Sequence, residues 1–249
     1  MYASMSAGSR SGRRGPCLNH TGVIAVKKDT RDQFLSEHGV IFLPRIGDNY
    51  EQGFNGHRLL VLGESHYDEW GGEKNQLENE SFFTRECIQE VLNRVGGASF
   101  WKTLEQALLN ETRTNGWAAN GGHSLWDKLS FYNFVQSPVP GGPGARPKWT
   151  CFEESRKPFR AVLEQLRPDR ILVCGKGLWK QMQETTQEGD YLHDDVQAYR
   201  LTDGTKVWCL ATVHPSSGRY SWKRLYPLIM AFLDAPQKAA EMLRNSGFE

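Results

Sequence analysis

The stretch RLLVLGESHYDEWGG, residues 58–72, decides how the chain is read. Leu59 to Leu62 form an apolar run of the length of a buried strand, and Gly63 closes it. Glu64, Ser65, His66 and Tyr67 then stand together where the strand stops. Chemically capable side chains gather in this way at the carboxyl edge of a parallel sheet, where open α/β folds bind their ligands. If residues 64–67 lie on such an edge, other strands must deliver polar groups to it.

Further short apolar runs, bounded by glycine, proline or polar residues, predict strands at 58–63, 130–135, 170–175 and 206–213. Helical stretches are predicted between them at 81–95, 100–110, 151–167, 177–186 and 222–235, with Pro158 and Pro227 in first turns or at kinks. Strands alternating with helices predict a three-layer α/β/α fold around a central, mostly parallel four-stranded sheet. Two more strands then end in polar groups. In KLSFYNFVQSPVPGGPGARP, residues 128–147, Asn133 stands within an aromatic run that opens into a loop rich in glycine and proline. In KVWCLATVHPSSGRYSWKR, residues 206–224, the strand delivers His214, Pro215, Ser216 and Ser217, followed by an aromatic and basic segment.

Composition bounds the rest. The 249 residues suit one domain, taken as 21–249, behind a basic, small-residue arm over 1–20 that is expected to be disordered. A formal net charge of +1 neither demands nor excludes a polyanionic partner, so any nucleic-acid surface has to be a local patch. Five cysteines with no C-x-x-C pair give no disulfide framework and no zinc or iron-sulfur spacing, which suits a reducing cytoplasm. No apolar run approaches the length of a membrane span and the first residues lack the apolar core of a signal peptide. A cytoplasmic monomer is expected.

The three polar strand ends resemble the motifs of the uracil-DNA glycosylase superfamily. GESHYD (63–68) is similar to GQDPYH of the best-known branch and GEAPG of the iron-sulfur branch; FYNFVQ (131–136) is similar to the context of the base-reading asparagine; HPSSGR (214–219) is similar to HPSPLS. The frame from 145 to 182 also resembles the family's passage from a proline-rich loop through a helix to the third strand, and the likeness covers roughly 55–235. It implies a DNA glycosylase, with DNA as partner, that swings a nucleotide out of the helix and hydrolyses the N-glycosidic bond of uracil or a modified pyrimidine, including a modified cytosine in foreign DNA.

Such a reaction leaves a sugar with oxocarbenium character and a departing base that takes up negative charge. The resemblance implies that His214 donates a hydrogen bond to the pyrimidine O2 as charge gathers there. Asn133 pairs with the base edge; its amide fits uracil in one orientation and a cytosine-like base in the other. Ser65 falls where the best-known branch has its water-activating aspartate, so positioning of water passes to Glu64, to Asp68 or Glu69, or to an unassisted route, with Glu64 preferred. Tyr67 matches the tyrosine beside the pyrimidine C5, and Phe82 or Phe83 is the candidate for stacking on the base. Ser216 and Ser217 fit phosphate contacts, Arg219 or Tyr220 the wedge that fills the gap, and Lys223 and Arg224 the DNA backbone. The four cysteines of the iron-sulfur branch have no counterpart near these motifs, so neither metal nor cofactor is expected.

Two rival classes stand beside this reading. A serine hydrolase using Ser65 and His214 would begin with Gly63-Glu64-Ser65, but a nucleophile elbow requires glycine where Tyr67 stands. A glycosylase-like module that grips nucleic acid without cutting it is suggested by Ser65 in place of the aspartate.

Overall fold

The computed structural model describes residues 28–68, 81–93, 99–114, 117–118, 122–142, 144–182 and 190–246. The predicted arm over 1–20, Glu69 and the end of the helix predicted at 177–186 lie outside the described residues. In chain order the elements are α1 (Asp32–Glu37), β1 (Arg45–Ile46), β2 (Leu59–Gly63), β3 (Tyr67–Asp68), α2 (Phe83–Leu92), α3 (Ser99–Leu109), β4 (Arg113–Thr114), β5 (Trp117–Ala118), α4 (Gly122–Lys128) and β6 (Leu129–Asn133). They continue with β7 (Val139–Pro140), α5 (Trp149–Leu166), β8 (Arg170–Cys174), α6 (Lys176–Met182), β9 (Tyr191–His193), β10 (Val196–Arg200), β11 (Lys206–Thr212), α7 (Trp222–Asp234) and α8 (Pro236–Ser246).

β2 is buried along its whole length, because helices cover both faces of the sheet. Its residues alternate between two cores, as the pleat requires. Leu59 and Val61 pack with residues of α2, α3, α4, α7 and α8, whereas Leu60 and Leu62 pack with residues of α1, α5 and α6. β2 pairs in parallel with β6 on one side and β8 on the other, and β8 pairs in parallel with β11. These four strands are the ones predicted from the apolar runs.

The predicted four-stranded sheet is corrected to a mixed sheet of seven, in the order β1-β6-β2-β8-β11-β10-β9. β1 adds antiparallel to β6, and β10 and β9 add antiparallel beyond β11. Neither proline begins a helix: Pro158 lies inside α5 and Pro227 inside α7. α5 ends where Arg167 adopts a left-handed conformation ahead of Pro168, which cannot continue the helix. Among the described residues no helix is long and apolar enough to cross a membrane.

Pairing between the β2 and β6 segments continues past the strand ends. Phe134 N–H donates to Gly63 O at 3.0 Å, Val135 N–H to Glu64 O at 2.8 Å, and Val139 N–H to His66 O at 2.9 Å. A short parallel pair, β3 with β7, follows. The first motif and the segment after Asn133 therefore leave the sheet together. Buried Gln136 fastens this extension, since its Oε1 accepts the backbone N–H of both Ile41 and Phe42 at 2.9 Å while its Nε2 donates to Asn133 O at 2.8 Å.

Candidate active site at the carboxyl edge of the parallel strands

Asn133 ends β6 directly opposite Gly63, the last residue of β2. Its side chain turns back over the neighbouring strand. A Cβ at position 63 would collide with Asn133 Oδ1, well inside their van der Waals contact distance, and stand 2.9 Å from Phe131 Cζ, so only glycine leaves room for the amide there. Asn133 is 6% exposed, and its Nδ2 lies 3.2 Å from Nε2 of buried His66.

Glu64 follows on β2 with its side chain 10% exposed, and Arg146 Nη2 stands 3.2 Å from its Oε2. Burial raises the Glu64 pKa above the ordinary carboxylate value and the Arg146 charge works against that rise. Arg146 arrives from the loop after β7, where Gly141, Gly142 and Gly144 all hold positive φ. Its guanidinium lies over the start of α6, where a Cβ at Gly177 would stand 2.6 Å from Nη2.

His214 follows β11 by two residues, with its ring centroid 5.3 Å from that of Phe100; Phe100 is in turn 6.1 Å from Phe131. Burial on the ring's inner side, then the charge of Arg146, lower the His214 pKa, which keeps the imidazole neutral near pH 7. Ser216 N–H donates to His214 Nδ1 at 3.2 Å. A neutral ring that accepts at Nδ1 carries its proton on Nε2, so Nε2–H is the available donor. A chain of neighbours thus runs from Asn133 over Gly63 and Phe131 to Phe100, His214, Arg146 and Glu64.

The remaining predicted residues divide. Tyr67 is half-buried beside Glu64, Ser65 and the Gly144 backbone; burial, then the Glu64 charge, raise its pKa. The Ser65 hydroxyl is buried and close to the Tyr67 phenol, yet makes no hydrogen bond of proper geometry among the described residues. Phe83 is buried, edge-on to His66 at 4.8 Å, and Phe82 lies beneath the guanidinium of Arg85, 5.2 Å from its ring centroid. Both rings are therefore engaged in packing. Phe100, between His214 and Phe131, packs against the imidazole and was not among the candidates.

In the His-Pro-Ser segment Ser216 Oγ accepts from Ser99 Oγ at 3.3 Å, and Ser217 Oγ accepts from Arg219 N–H at 3.2 Å. Tyr220 packs against the core and its phenol pKa is raised by burial, whereas Arg219 is exposed. Lys223 and Arg224 are exposed on the first turn of α7. A cavity of about 630 Å3 runs alongside, lined by Ser99, Ser216, Ser217, Gly218, Tyr220 and Lys223 among others.

Arg146, Phe100 and Gln136 border these groups without having been singled out in the sequence, and His66, named there among the residues gathered at the strand end, had been given no role. The only available signal for Arg146 was its place at the end of the glycine-rich run GGPGAR (141–146). Among the described residues no three His, Cys, Asp or Glu side chains gather closely enough to hold a metal ion. Compared with known proteins, the sequence matches no family model, and no curated protein matches it.

Proposed function

We propose that the protein is a DNA glycosylase that hydrolyses the N-glycosidic bond of uracil or a modified pyrimidine swung out of DNA. The observation that carries this reading is that an amide, a carboxylate and a neutral imidazole stand at the ends of β6, β2 and β11 on one edge of the sheet, with Arg146 beside the carboxylate and Phe100 beside the imidazole. Nε2–H of His214 meets the pyrimidine O2 and stabilises the charge that the base takes up as the bond breaks. Arg146 adds a fixed positive charge to the same side. Glu64, made more basic by burial, orients water towards the oxocarbenium-like sugar. Asn133 reads the base edge, Tyr67 borders it, and the cavity beside Ser216, Ser217 and Lys223 receives the DNA backbone.

Digestion of DNAs carrying uracil and a range of modified pyrimidines, with released bases identified by mass spectrometry and abasic sites cleaved by alkali, tests the reading. Release of one base class, abolished in His214→Ala, is expected; DNA binding with no base released from any substrate would reject it.

That negative outcome would support a second reading, a module that flips and grips DNA without cutting. It is favoured by one observation: the buried Ser65 hydroxyl stands where the best-known branch of the resembling family has its aspartate. For a serine hydrolase the same hydroxyl would need His214 as its base, and no hydrogen bond joins the two.

A further inference from the structure

The ring of His66 is held edge-on between Phe42 and Phe83, each 4.8 Å away between centroids, and the residue is 7% exposed. Burial pushes its pKa down to about 3, so the ring is neutral at any working pH and carries one proton. Two polar groups meet the same nitrogen: Thr84 Oγ1 at 2.8 Å and Asn133 Nδ2 at 3.2 Å from Nε2. Because an amide nitrogen only donates, Nε2 is the acceptor in this arrangement and the ring proton lies on Nδ1. Tautomer and amide orientation are therefore one choice and not two.

That choice has a direction across the site. With Nδ2 held by His66, Oδ1 is turned towards Gly63. In the strand order β6-β2-β8-β11, Gly63 lies on the side of Asn133 that leads to His214. A pyrimidine whose O2 meets His214 presents position 3 and then position 4 as it extends away from β11. Oδ1 then faces position 3 and accepts from N3–H, and Nδ2 faces position 4 and donates to a keto oxygen. The opposite amide orientation would suit an unprotonated N3 and a 4-amino group.

We propose that His66 is a positioning residue that locks the Asn133 amide and thereby sets the pocket for a 4-keto, N3-protonated pyrimidine against a 4-amino one. The lock itself stands on the His66 geometry, and the base preference rests on the glycosylase reading.

Two measurements on the full chain separate the two. With 15N-labelled histidine, NMR of the wild type is expected to report His66 protonated on Nδ1 and bare on Nε2, unchanged between about pH 5 and 8. A protonated Nε2 overturns the lock, whether or not the protein cuts DNA. In single-turnover excision, His66→Leu removes the acceptor and frees the amide to turn, so the 4-keto to 4-amino rate ratio is expected to fall by at least about tenfold. Thr84→Val, which removes the competing hydroxyl and leaves Nε2 to Asn133, keeps the wild-type ratio. An unchanged ratio in a folded His66→Leu protein overturns the specificity role. No base released from any substrate, with Nε2 bare, overturns the glycosylase reading and leaves the lock standing.

Discussion

Arg146 stands 3.2 Å from Glu64: the arginine follows β7, the glutamate precedes β3, and those two strands pair. The carboxylate is nearly buried and the guanidinium is 59% exposed, so the pair is neither a surface ion pair nor a sealed one. Its sign has a kinetic consequence. Burial raises the Glu64 pKa, so base-catalysed excision is expected to fall away on the acid side at a pH above the ordinary glutamate value, as the carboxylate takes up its proton. Arg146 lowers that pKa, and Arg146→Gln should move the acid limb further towards neutral pH. A pH profile of single-turnover rates in the two proteins measures the difference; an acid limb that stays in place or moves down would show that Glu64 is not the titrating base.

His214→Ala and Asn133→Ala should each slow excision by about tenfold to a hundredfold or more, through loss of charge stabilisation and of base pairing. His214 is open to solvent on one side and packs its ring against Phe100 on the other, so its removal should cost no more than about 1.5 kcal/mol of unfolding free energy. Rates near wild type in both variants would remove the assignments.

Gly63→Ala places a methyl group against Asn133 Oδ1 and Phe131 Cζ. Neither neighbour has space to yield within a filled core, so a loss of about 1–3 kcal/mol of stability is expected. Base excision should fall at least as far as in Asn133→Ala, because the amide is displaced. Normal denaturation midpoint and normal activity together would mean that the amide does not rest on the Gly63 backbone.

Gln136→Ala leaves the backbone N–H groups of Ile41 and Phe42 without their shared acceptor. Of the two only the Phe42 donor is buried, and a buried donor left unpaired costs about 1–3 kcal/mol, so urea titration should register that loss with an unaltered slope. A midpoint equal to wild type would show that water replaces the carboxamide without penalty.

Lys223→Ala, at the rim of the 630 Å3 cavity, should weaken binding to all DNA sequences alike and reduce the salt dependence by about one phosphate contact. Fluorescence anisotropy across a salt series reads both quantities. Sequence-dependent loss, or an unchanged slope, would place the DNA elsewhere.

Legibility in the sequence followed burial. β2, β6, β8 and β11 are covered on both faces, so they read as unbroken apolar runs and their boundaries fall within two residues of those predicted. β1 has two residues, and β9, with the sequence Tyr-Leu-His, is half exposed, so neither carries a periodic signal. α8 begins on Pro236, which looks like a stop although proline is favoured in the first turn of a helix. The candidate site was legible wherever a residue stands at a strand end or within two residues of it, as Asn133, Glu64 and His214 do. Arg146 and Phe100 were not, because their positions depend on how a loop returns and where α3 starts; His66 stood out at the strand end, but its contact with the Asn133 amide did not.

The spatial order β6-β2-β8-β11 interleaves distant parts of the chain. Glu64 and Asn133 become neighbours as soon as β6 docks, but the imidazole takes its place only after β8 has been inserted between them and β11. During synthesis, therefore, the three side chains can come together only once everything from Glu64 to His214 has left the ribosome. A protease cut between Asn133 and Lys206 would leave the imidazole on one fragment and the carboxylate and amide on the other.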